Sequence, residues 1–236
     1  MTDAVSPQAV RAERAFTVDA VAESLARRIS DGEFEMGAWI RQAKLAEEYG
    51  VSRTPATLAL SRLEALGVVE RIANRGFRVR LPSARDVAEV IEVRGLLEGH
   101  AAYLAAQRAS AEQLGRLHRA VEQFREVVSG LRAGRSEEWA RARWHAANAL
   151  FHATVFEAAG NGQLTTSSEL LHHRLPRNTS WSAMQGDVRL LSQNANEHEA
   201  IALAIELHDG ARARNLAFAH LETARDLMVA RLQELA

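Results

Sequence analysis

The sequence predicts a mainly α-helical protein: a winged helix-turn-helix with a small β-hairpin, followed by an antiparallel helical bundle. Three observations predict this fold class. Apolar residues recur at the i, i+3 and i+4 spacing of amphipathic helices over most of the chain. Two short β-prone runs, 68–71 and 77–80, flank the turn sequence 73–76. The run Leu81-Pro82-Ser83-Ala84 marks a boundary, after which the chain is rich in Ala, Leu, Glu and Arg.

The first third of the chain predicts helix, helix, tight turn, helix and hairpin. The predicted helices are 18–29, 41–49 and 53–66. Gly50 ends the second helix, because glycine adopts the positive φ of this position at little cost. Ser52 is the expected N-cap of the third helix, and Pro55 lies in its first turn, where the missing N–H loses no helical bond. This order of elements is that of a winged helix-turn-helix.

The rest of the chain is predicted to be almost wholly helical. The predicted helices are 84–108, 110–133, 136–159, 161–175, 187–208 and 209–235. The segment 176–187, which contains Pro176 and Gly186, is predicted to be a loop or a broken helix. We therefore divide the chain into a flexible N-terminus at 1–15, a winged helix-turn-helix domain at 16–81 and an all-helical domain at 85–236.

The composition excludes several kinds of protein and site. The chain is 47% hydrophobic and 25% charged, which is ordinary for a soluble globular protein. Because it contains no cysteine, it can form neither a disulfide framework nor a thiolate metal site. The N-terminus lacks the apolar core of a secretory signal, and no run of about 18 apolar residues could span a bilayer. We therefore expect a cytoplasmic protein with no membrane partner.

Positive charge is concentrated in the predicted helix-turn-helix, although the net charge of the chain is only -1. Between Val51 and Leu81 there are two acids, Glu64 and Glu70, and six arginines, Arg53, Arg62, Arg71, Arg75, Arg78 and Arg80. This local excess suits a surface that contacts phosphates. Chance clustering on a solvated face would explain the charge pattern equally well.

The third predicted helix has the residue types of a DNA-reading helix. In a helix-turn-helix, the N-terminal residues of the second helix reach base edges in the major groove. Here those residues are Ser52, Arg53, Thr54 and Thr57. Arg53 can form a fork onto guanine or bind phosphate, whereas the hydroxyls can bind phosphate oxygens. Arg75, at the tip of the hairpin, could reach the minor groove or the backbone. The alternative is a generic three-helix packing unit with a hairpin.

The residues over about 18–80 resemble the GntR family of bacterial regulators. The matching runs are Ile29-Ser30-Asp31-Gly32, Gly37, Leu45-Ala46-Glu47, Gly50-Val51-Ser52-Arg53-Thr54-Pro55, Ala59-Leu60, Leu63-Glu64, Gly67-Val68-Val69 and Arg75-Gly76. The resemblance implies a winged helix that binds palindromic operator DNA as a homodimer, with Gly76 beside Arg75 in the wing.

Two positions depart from the family pattern. Thr57-Leu58 stands where the family usually has Arg-Glu, and Ala43 stands where it often has a basic residue. Both family positions face DNA, so we expect an unusual operator sequence. Arg41 and Lys44 are the candidates for the phosphate contacts that Ala43 cannot make.

The helical half contains most of the nine histidines. Asn148 and His152 are four residues apart, so both leave one helix face. His198 and His220 lie 22 residues apart on predicted successive helices. Residues from three helices of a bundle can converge on an interior site, and imidazole with oxygen ligands suits zinc, nickel or another divalent first-row metal. A surface or core role is commoner for a helical histidine, so the spacing alone leaves both possibilities open.

This half resembles the FCD sensor domain of the FadR subfamily over about residues 85–228. The matching runs are Glu92-Val93-Arg94, Leu97-Glu98, Ala101-Ala102, Leu104-Ala105, Phe151-His152, Ala158-Ala159-Gly160-Asn161, Glu197-His198, Ala204-Ile205, Asp209, Ala213 and His220-Leu221. The resemblance implies that His152, His198 and His220 ligate a divalent metal, zinc or nickel. Asn148 stands where the family usually has an aspartate ligand. Because an amide oxygen is a neutral and weaker ligand, metal affinity is expected to fall, or an effector carboxylate to complete the coordination.

The resemblance also suggests how a small carboxylate effector would bind. Arg94 and Glu98 would project toward the same cavity as Asn148, and Arg94 could contact the carboxylate. The alternative for these two is an ordinary intrahelical Arg–Glu pair. Arg177 and Trp181 could close over the ligand, with Trp181 stacking on an aromatic ring. An aromatic acid is suggested because vanillate-responsive members of the family are similar in carrying asparagine at the position of Asn148.

Together these features predict a ligand-responsive transcription regulator, more in keeping with a repressor than an activator, and not an enzyme. Effector binding would change the spacing of the two winged helices in a dimer. One alternative is a metal-sensing regulator without an organic effector. Another is a metal-dependent enzyme, because three histidines can leave an open position on a catalytic metal. The enzyme is disfavoured, since the sequence places no acid or base there besides the ligands and Glu98.

Overall fold

A computed structural model describes residues 17–30, 33–34, 37–172, 175, 179–184 and 186–234. The chain forms two compact units, whose main division lies between Arg80 and Leu81. The segment 1–15, predicted to be flexible, lies outside the described residues. Among the residues that are described, no helix combines the length and apolar character needed to cross a membrane.

The first unit combines helices with an antiparallel sheet. Its elements are α1 (Val18–Ser30), β1 (Trp39–Ile40), α2 (Gln42–Glu48), α3 (Arg53–Ala65), β2 (Val69–Ile72) and β3 (Gly76–Val79). The strand order is β1-β3-β2, and Phe77 of β3 pairs with Ile40 on one side and Arg71 on the other. The predicted order of helices and hairpin is confirmed. β1 was not predicted, because two residues are too few to show an alternating pattern.

One face of α3 forms the core of the first unit. Ala56, Ala59, Leu60 and Leu63 are buried on it at helical spacing. Residues at the start of the helix, Ser52 to Thr54, are exposed instead. Burial of one face therefore fixes the helix and leaves its N-terminal turn accessible.

The second unit is a bundle of helices. Its elements are α4 (Ala84–Arg108), α5 (Ala111–Arg132), α6 (Glu137–Ala159), α7 (Gly162–His172), α8 (Thr179–Met184), α9 (Val188–Glu206) and α10 (Gly210–Glu234). Residues at the N-termini of three helices cap them: Ser83 and Ser110 form capping boxes at α4 and α5, and Asp187 caps α9. The predicted helices are confirmed, and the broken segment 176–187 contains the short helix α8.

Glycines let α4 and α10 approach closely. A Cβ atom added at Gly95 would lie 3.1 Å from the Phe218 ring, and one added at Gly99 would lie 3.2 Å from the carbonyl oxygen of Arg214. Side chains at these positions would push the helices apart. The close packing fixes α10, which carries His220, against α4, which carries Glu98.

Candidate metal centre and nucleic-acid interface

Three histidines from three helices converge inside the bundle. His152 lies on α6, His198 on α9 and His220 on α10, and one ligand atom from each lies within 4.8 Å of the others. The Nε2 atoms of His152 and His198 are 3.4 Å apart. His198 is fully buried and His220 is 5% exposed. The histidines predicted as ligands are therefore neighbours, although 68 residues separate the first from the last.

The Nδ1 atom of each histidine is held by an oxygen acceptor. The contacts are His152 Nδ1 to Glu98 Oε2 at 2.9 Å, His198 Nδ1 to the backbone oxygen of Asn194 at 2.8 Å, and His220 Nδ1 to Glu197 Oε2 at 2.8 Å. An Nδ1–H that donates to such an acceptor leaves the Nε2 lone pair available. Metal-ligating histidines are oriented in this way by the groups behind them.

The surroundings of His198 favour its neutral form. Burial lowers the pKa of His198 well below its ordinary value, and the neighbouring His220 and His152 lower it further. The rings of Phe124 and Phe151 pack against it, with centroid distances of 4.3 and 4.7 Å. Neutral imidazole is the form that ligates metals, so the surroundings of His198 keep it in the form that can bind a cation.

The donor set fits a divalent first-row metal. Three neutral imidazoles are a common zinc ligand set that leaves an open coordination position. Asn148 lies one turn before His152 on α6 and lines the adjacent cavity. Its amide has no hydrogen bond to any residue that the structure describes, so its oxygen is available as a further neutral ligand.

A cavity of about 510 Å³ adjoins the histidine cluster, a volume in the range of small-molecule sites. His152, His220, Arg94 and Asn148 lie on its wall. The apolar part of the wall is formed by Ile91, Trp144, Phe156, Leu175, Leu221 and Met228. The cavity can therefore surround an apolar body while a charged group faces Arg94 and the histidines.

Arg94 and Glu98 form the intrahelical pair that the sequence left as an alternative. Arg94 Nε and Nη2 donate to Glu98 Oε1 at 3.1 and 2.8 Å. Glu98 Oε2 contacts His152, and Glu98 does not line the cavity. The prediction that Glu98 contacts the effector therefore needs correction: its carboxylate is already shared by Arg94 and His152. Arg94 remains on the cavity wall, and its Nη1 meets no acceptor among the described residues.

Trp181 is not positioned to stack on a cavity ligand. It lies on α8, is buried in the core of the bundle, and packs against Trp144 with ring centroids 6.2 Å apart. The prediction was wrong because a large indole is stabilised by burial in the core, and Trp144 lines the cavity instead. Arg177, the other residue expected to close over the ligand, lies outside the described residues.

Sequence reasoning missed three polar residues at this site. Glu197 orients His220 from a neighbouring helix, for which no local pattern exists. Asn194 lies four residues before His198, the same spacing that links Asn148 to His152, so this signal was present in the sequence. Ser168 lines the cavity from α7, and nothing in the sequence marked it.

In the first unit, four predicted DNA-contacting residues line one cleft. Arg41, Arg53, Arg75 and Gly76 lie there together, although they come from the start of α2, from α3 and from the hairpin of β2 and β3. Trp39 lines the same cleft and is half exposed. Gly76 has a φ of +104°, which favours glycine at the end of the wing turn.

The arginines that line this cleft have no acidic partners among the described residues. Elsewhere in the unit, Arg62 pairs with Asp19, Arg71 with Glu64, and Arg78 with Glu70. Within the described part of the chain, Arg41, Arg53 and Arg75 have no carboxylate at ion-pair distance. The cleft therefore presents uncompensated positive charge, which a phosphate backbone can neutralise.

The other residues predicted to contact DNA differ in whether their side chains are available to bind it. The Ser52 side chain forms no capping bond, contrary to expectation, so its exposed hydroxyl is available. Thr54 is exposed, whereas Thr57 Oγ1 donates to the carbonyl oxygen of Arg53 at 2.8 Å and can only accept from DNA. Lys44 does not line the cleft, and its Nζ lies 3.8 Å from Glu48.

Models of two families match the chain. "Bacterial regulatory proteins, gntR family" matches residues 17–79, and "FCD domain" matches residues 89–223. These matches cover the candidate nucleic-acid interface and the candidate metal centre respectively.

Similar proteins extend over most of the chain. It is 29% identical, over 84% of its length and 83% of the relative's, to a "Probable D-xylose utilization operon transcriptional repressor" of Paenarthrobacter nicotinovorans. It is 27% identical, over 87% of its length and 98% of the relative's, to the HTH-type transcriptional regulator LutR of Bacillus subtilis (strain 168). The solved structure of E. coli McbR/YncC has the same fold, with a TM-score of 0.72 at 20% identity over 92% of this chain and 97% of that one.

The family matches and the full-length relatives indicate a DNA-binding regulator rather than an enzyme. The FCD match alone spans more than half of the 236 residues, and the GntR match accounts for the helix-turn-helix before it. The chain therefore belongs to the GntR family of bacterial regulatory proteins, among the members that carry an FCD domain, and is a transcription regulator.

Proposed function

We propose that this regulator is a repressor that binds a palindromic operator as a homodimer and leaves it when a small carboxylic acid binds beside a metal ion. The observation that carries the proposal is the histidine cluster on the wall of a cavity of about 510 Å³. The repressor assignment is supported by the name of the D-xylose operon relative.

The cleft of the first unit is proposed to contact the operator. Arg53 is placed at the exposed start of α3, where it can reach a base edge or a phosphate. Arg41 and Arg75, with Gly76 at the wing tip, would bind the backbone on either side. The hydroxyls of Ser52 and Thr54 and the ammonium of Lys44 are proposed as further backbone contacts. The Thr57 hydroxyl, which already donates to the Arg53 carbonyl oxygen, is proposed to accept from a base amine.

The histidine cluster is proposed to hold zinc or nickel. His152, His198 and His220 would be the ligands, and the Asn148 oxygen would be a fourth, neutral one. When bound, the ion supplies positive charge at the cavity wall. Glu98 and Glu197 contact the Nδ1 sides of the histidines, and Glu157 and Glu169 line the cavity. None of the four proposed ligands would bring a counter-charge to the ion.

A carboxylate effector would supply that missing negative charge. Its oxygens would face the metal site, and the free Nη1 of Arg94 would add an end-on hydrogen bond. The apolar walls suit an aromatic or other apolar body on the acid. In a homodimer, a change in the helical domain would alter the distance between the two reading helices, which operator half-sites fix through the DNA repeat.

Operator affinity, measured with and without metal and acid, tests the proposal. The operator is first selected from random DNA with the zinc-loaded protein. A panel of aromatic and aliphatic acids is then titrated, and at least one should weaken binding about tenfold or more, an effect absent from the His198→Ala variant. His118→Ala, which replaces a surface histidine outside the cluster, should behave like the wild type.

Two other results would identify different functions. Release of the operator on chelation alone, with no response to any acid, would mean that the metal is the signal. Operator affinity that changes with neither metal nor acid would show that the cavity does not control DNA binding.

A further inference from the structure

A buried hydroxyl without a partner lies on the cavity wall. Ser168 is 2% exposed, and its Oγ has no hydrogen-bond partner among the described residues. Several helical threonines in this chain donate to the carbonyl four residues earlier, as Thr154 and Thr165 do. Ser168 does not form this bond, although a buried polar group normally has a hydrogen-bond partner.

Asn194, which lines the same cavity, carries a second unsatisfied atom. Its Oδ1 is buried and has no partner among the described residues, and the residue lines the cavity from α9. The contact that orients His198 uses the backbone oxygen of Asn194 and not its side chain. The side-chain amide is therefore not required for positioning the histidine.

We propose that Ser168 and Asn194 are specificity-determining residues that hydrogen-bond a hydroxyl group on the body of the effector. The inference rests on the proposed function and narrows its effector to a carboxylic acid whose hydroxyl is remote from the carboxylate. The carboxylate belongs at the histidines and Arg94, on α4, α6, α9 and α10. Ser168 lies on a different helix, α7, whereas Asn194 lies on α9, four residues before His198, so Ser168 alone carries the inference that the hydroxyl is remote. A hydroxyl next to the carboxylate would chelate the metal together with it and would not hydrogen-bond Ser168.

The apolar part of the wall limits where the effector can carry polar groups. Hydroxyls that face Ile91, Leu221 and Met228 would be left unpaired, because these side chains offer no hydrogen bonds. Polar residues occupy other parts of the wall, among them His145, Thr165 and Glu169. An acid without any hydroxyl would leave Ser168 and Asn194 unpaired instead. Sites built to bind a hydroxyl discriminate strongly against analogues that lack it. The class that satisfies both conditions is an apolar acid with one or two hydroxyls.

Matched pairs of acids test this inference by titration calorimetry on the zinc-loaded full-length protein. The probes are benzoate against 3- and 4-hydroxybenzoate, and hexanoate against 5-hydroxyhexanoate. The hydroxylated member of at least one pair should bind wild type about tenfold more tightly, the size expected for one buried hydrogen bond that replaces an unsatisfied group. Ser168→Ala or Asn194→Ala should abolish this advantage and change affinity for the parent acid by less than about twofold.

Exposed neighbours provide the controls. Ser167→Ala on α7 and Asn196→Ala on α9 should keep the preference for the hydroxylated acid. Because Ser168→Ala deletes an unpaired buried hydroxyl, its melting temperature should equal or exceed that of wild type. A marked fall would show that the hydroxyl has a structural partner and would overturn the inference.

The inference is also overturned if neither member of any pair binds, if both members of every pair bind equally, or if the preference survives in both alanine variants. These outcomes are separate from failure of the proposed function, because calorimetry needs no operator. Hydroxyl-selective binding with an unresponsive operator would refute the proposed function alone, whereas operator release by acids regardless of their hydroxyls would refute this inference alone.

Discussion

The two candidate sites differ in how their polar side chains are held. In the cleft, Arg41, Arg53 and Arg75 are exposed and lack acidic partners among the described residues. In the cavity, each histidine is fixed by an acceptor, and Arg94 is bound to Glu98. The positive charge of the cleft is available to a polyanion, whereas in the cavity Glu98 and Glu197 already orient the histidines. Substitution in the cleft should therefore remove single contacts, and substitution in the cavity should disturb a connected group.

The largest effect is expected from His198→Ala. His198 lies at the centre of the cluster, and its loss removes a ligand together with the ring that packs on Phe124 and Phe151. Zinc affinity, measured by competition with a chromophoric chelator, should fall by more than about 100-fold, beyond the range seen for groups behind the ligands. His118→Ala is the matched control. Zinc affinity equal to that of wild type would show that the cluster is not a metal site.

Glu98→Gln should have the next largest effect. The change keeps the shape of the side chain but removes the charge that orients His152 and pairs with Arg94. Zinc affinity should fall by about 10- to 100-fold, as is usual when the group behind a ligand is changed.

The chain offers a matched control for Glu98→Gln on the same helix. Arg85 and Glu89 form the same i, i+4 pair, but their side chains are 87% and 61% exposed, against 12% and 4% for Arg94 and Glu98. Glu89→Gln should leave zinc affinity unchanged. Equal responses to the two substitutions would mean that only the net charge of α4 matters, and not the contact with His152.

Local signals explain why most of the fold could be predicted from the sequence. The caps Ser83, Ser110 and Asp187 lie next to the helices that they start, so the boundaries of α4, α5 and α9 could be predicted. α8 could not, because its six residues lie between Pro176 and Gly186, where helix breakers conceal so short a helix.

The site could be predicted only in part, because contacts between helices leave no pattern in the sequence, unlike contacts within one helix. Asn148 and His152 share a helix, so their common face follows from their spacing. The contacts of Glu98 with His152 and of Glu197 with His220 join different helices, and they depend on how the bundle packs. The unsatisfied state of Ser168 is likewise a property of packing, which no sequence spacing expresses.

Arg53→Ala tests the cleft, where the loss of affinity should be smaller than at the metal centre and should come from one contact. Loss of one arginine contact to a base edge should weaken operator binding by about 2 kcal/mol, roughly 30-fold. Arg78→Ala is the control, because Arg78 is already paired with Glu70 and a half-exposed ion pair contributes little. Affinities are measured by fluorescence anisotropy at several salt concentrations. If Arg78→Ala weakens binding as much as Arg53→Ala, ion pairing within the unit does not distinguish the DNA-contacting arginines.

The smallest effect, and the only gain, is expected from Asn148→Asp. If the Asn148 oxygen is a ligand, a carboxylate there adds one negative charge to the coordination sphere and should raise zinc affinity about tenfold. The same charge should weaken binding of a carboxylate effector, because the acid would no longer supply the charge that the neutral ligands leave uncompensated. Asn196→Asp is the matched control, since Asn196 is exposed on another helix, α9, and adds the same charge. An equal gain from both variants would indicate a general field effect, whereas a gain from Asn148→Asp alone would indicate direct ligation. In this respect the cavity would resemble the cleft, because the positive charge of each would stay uncompensated until its ligand, the effector or DNA, binds.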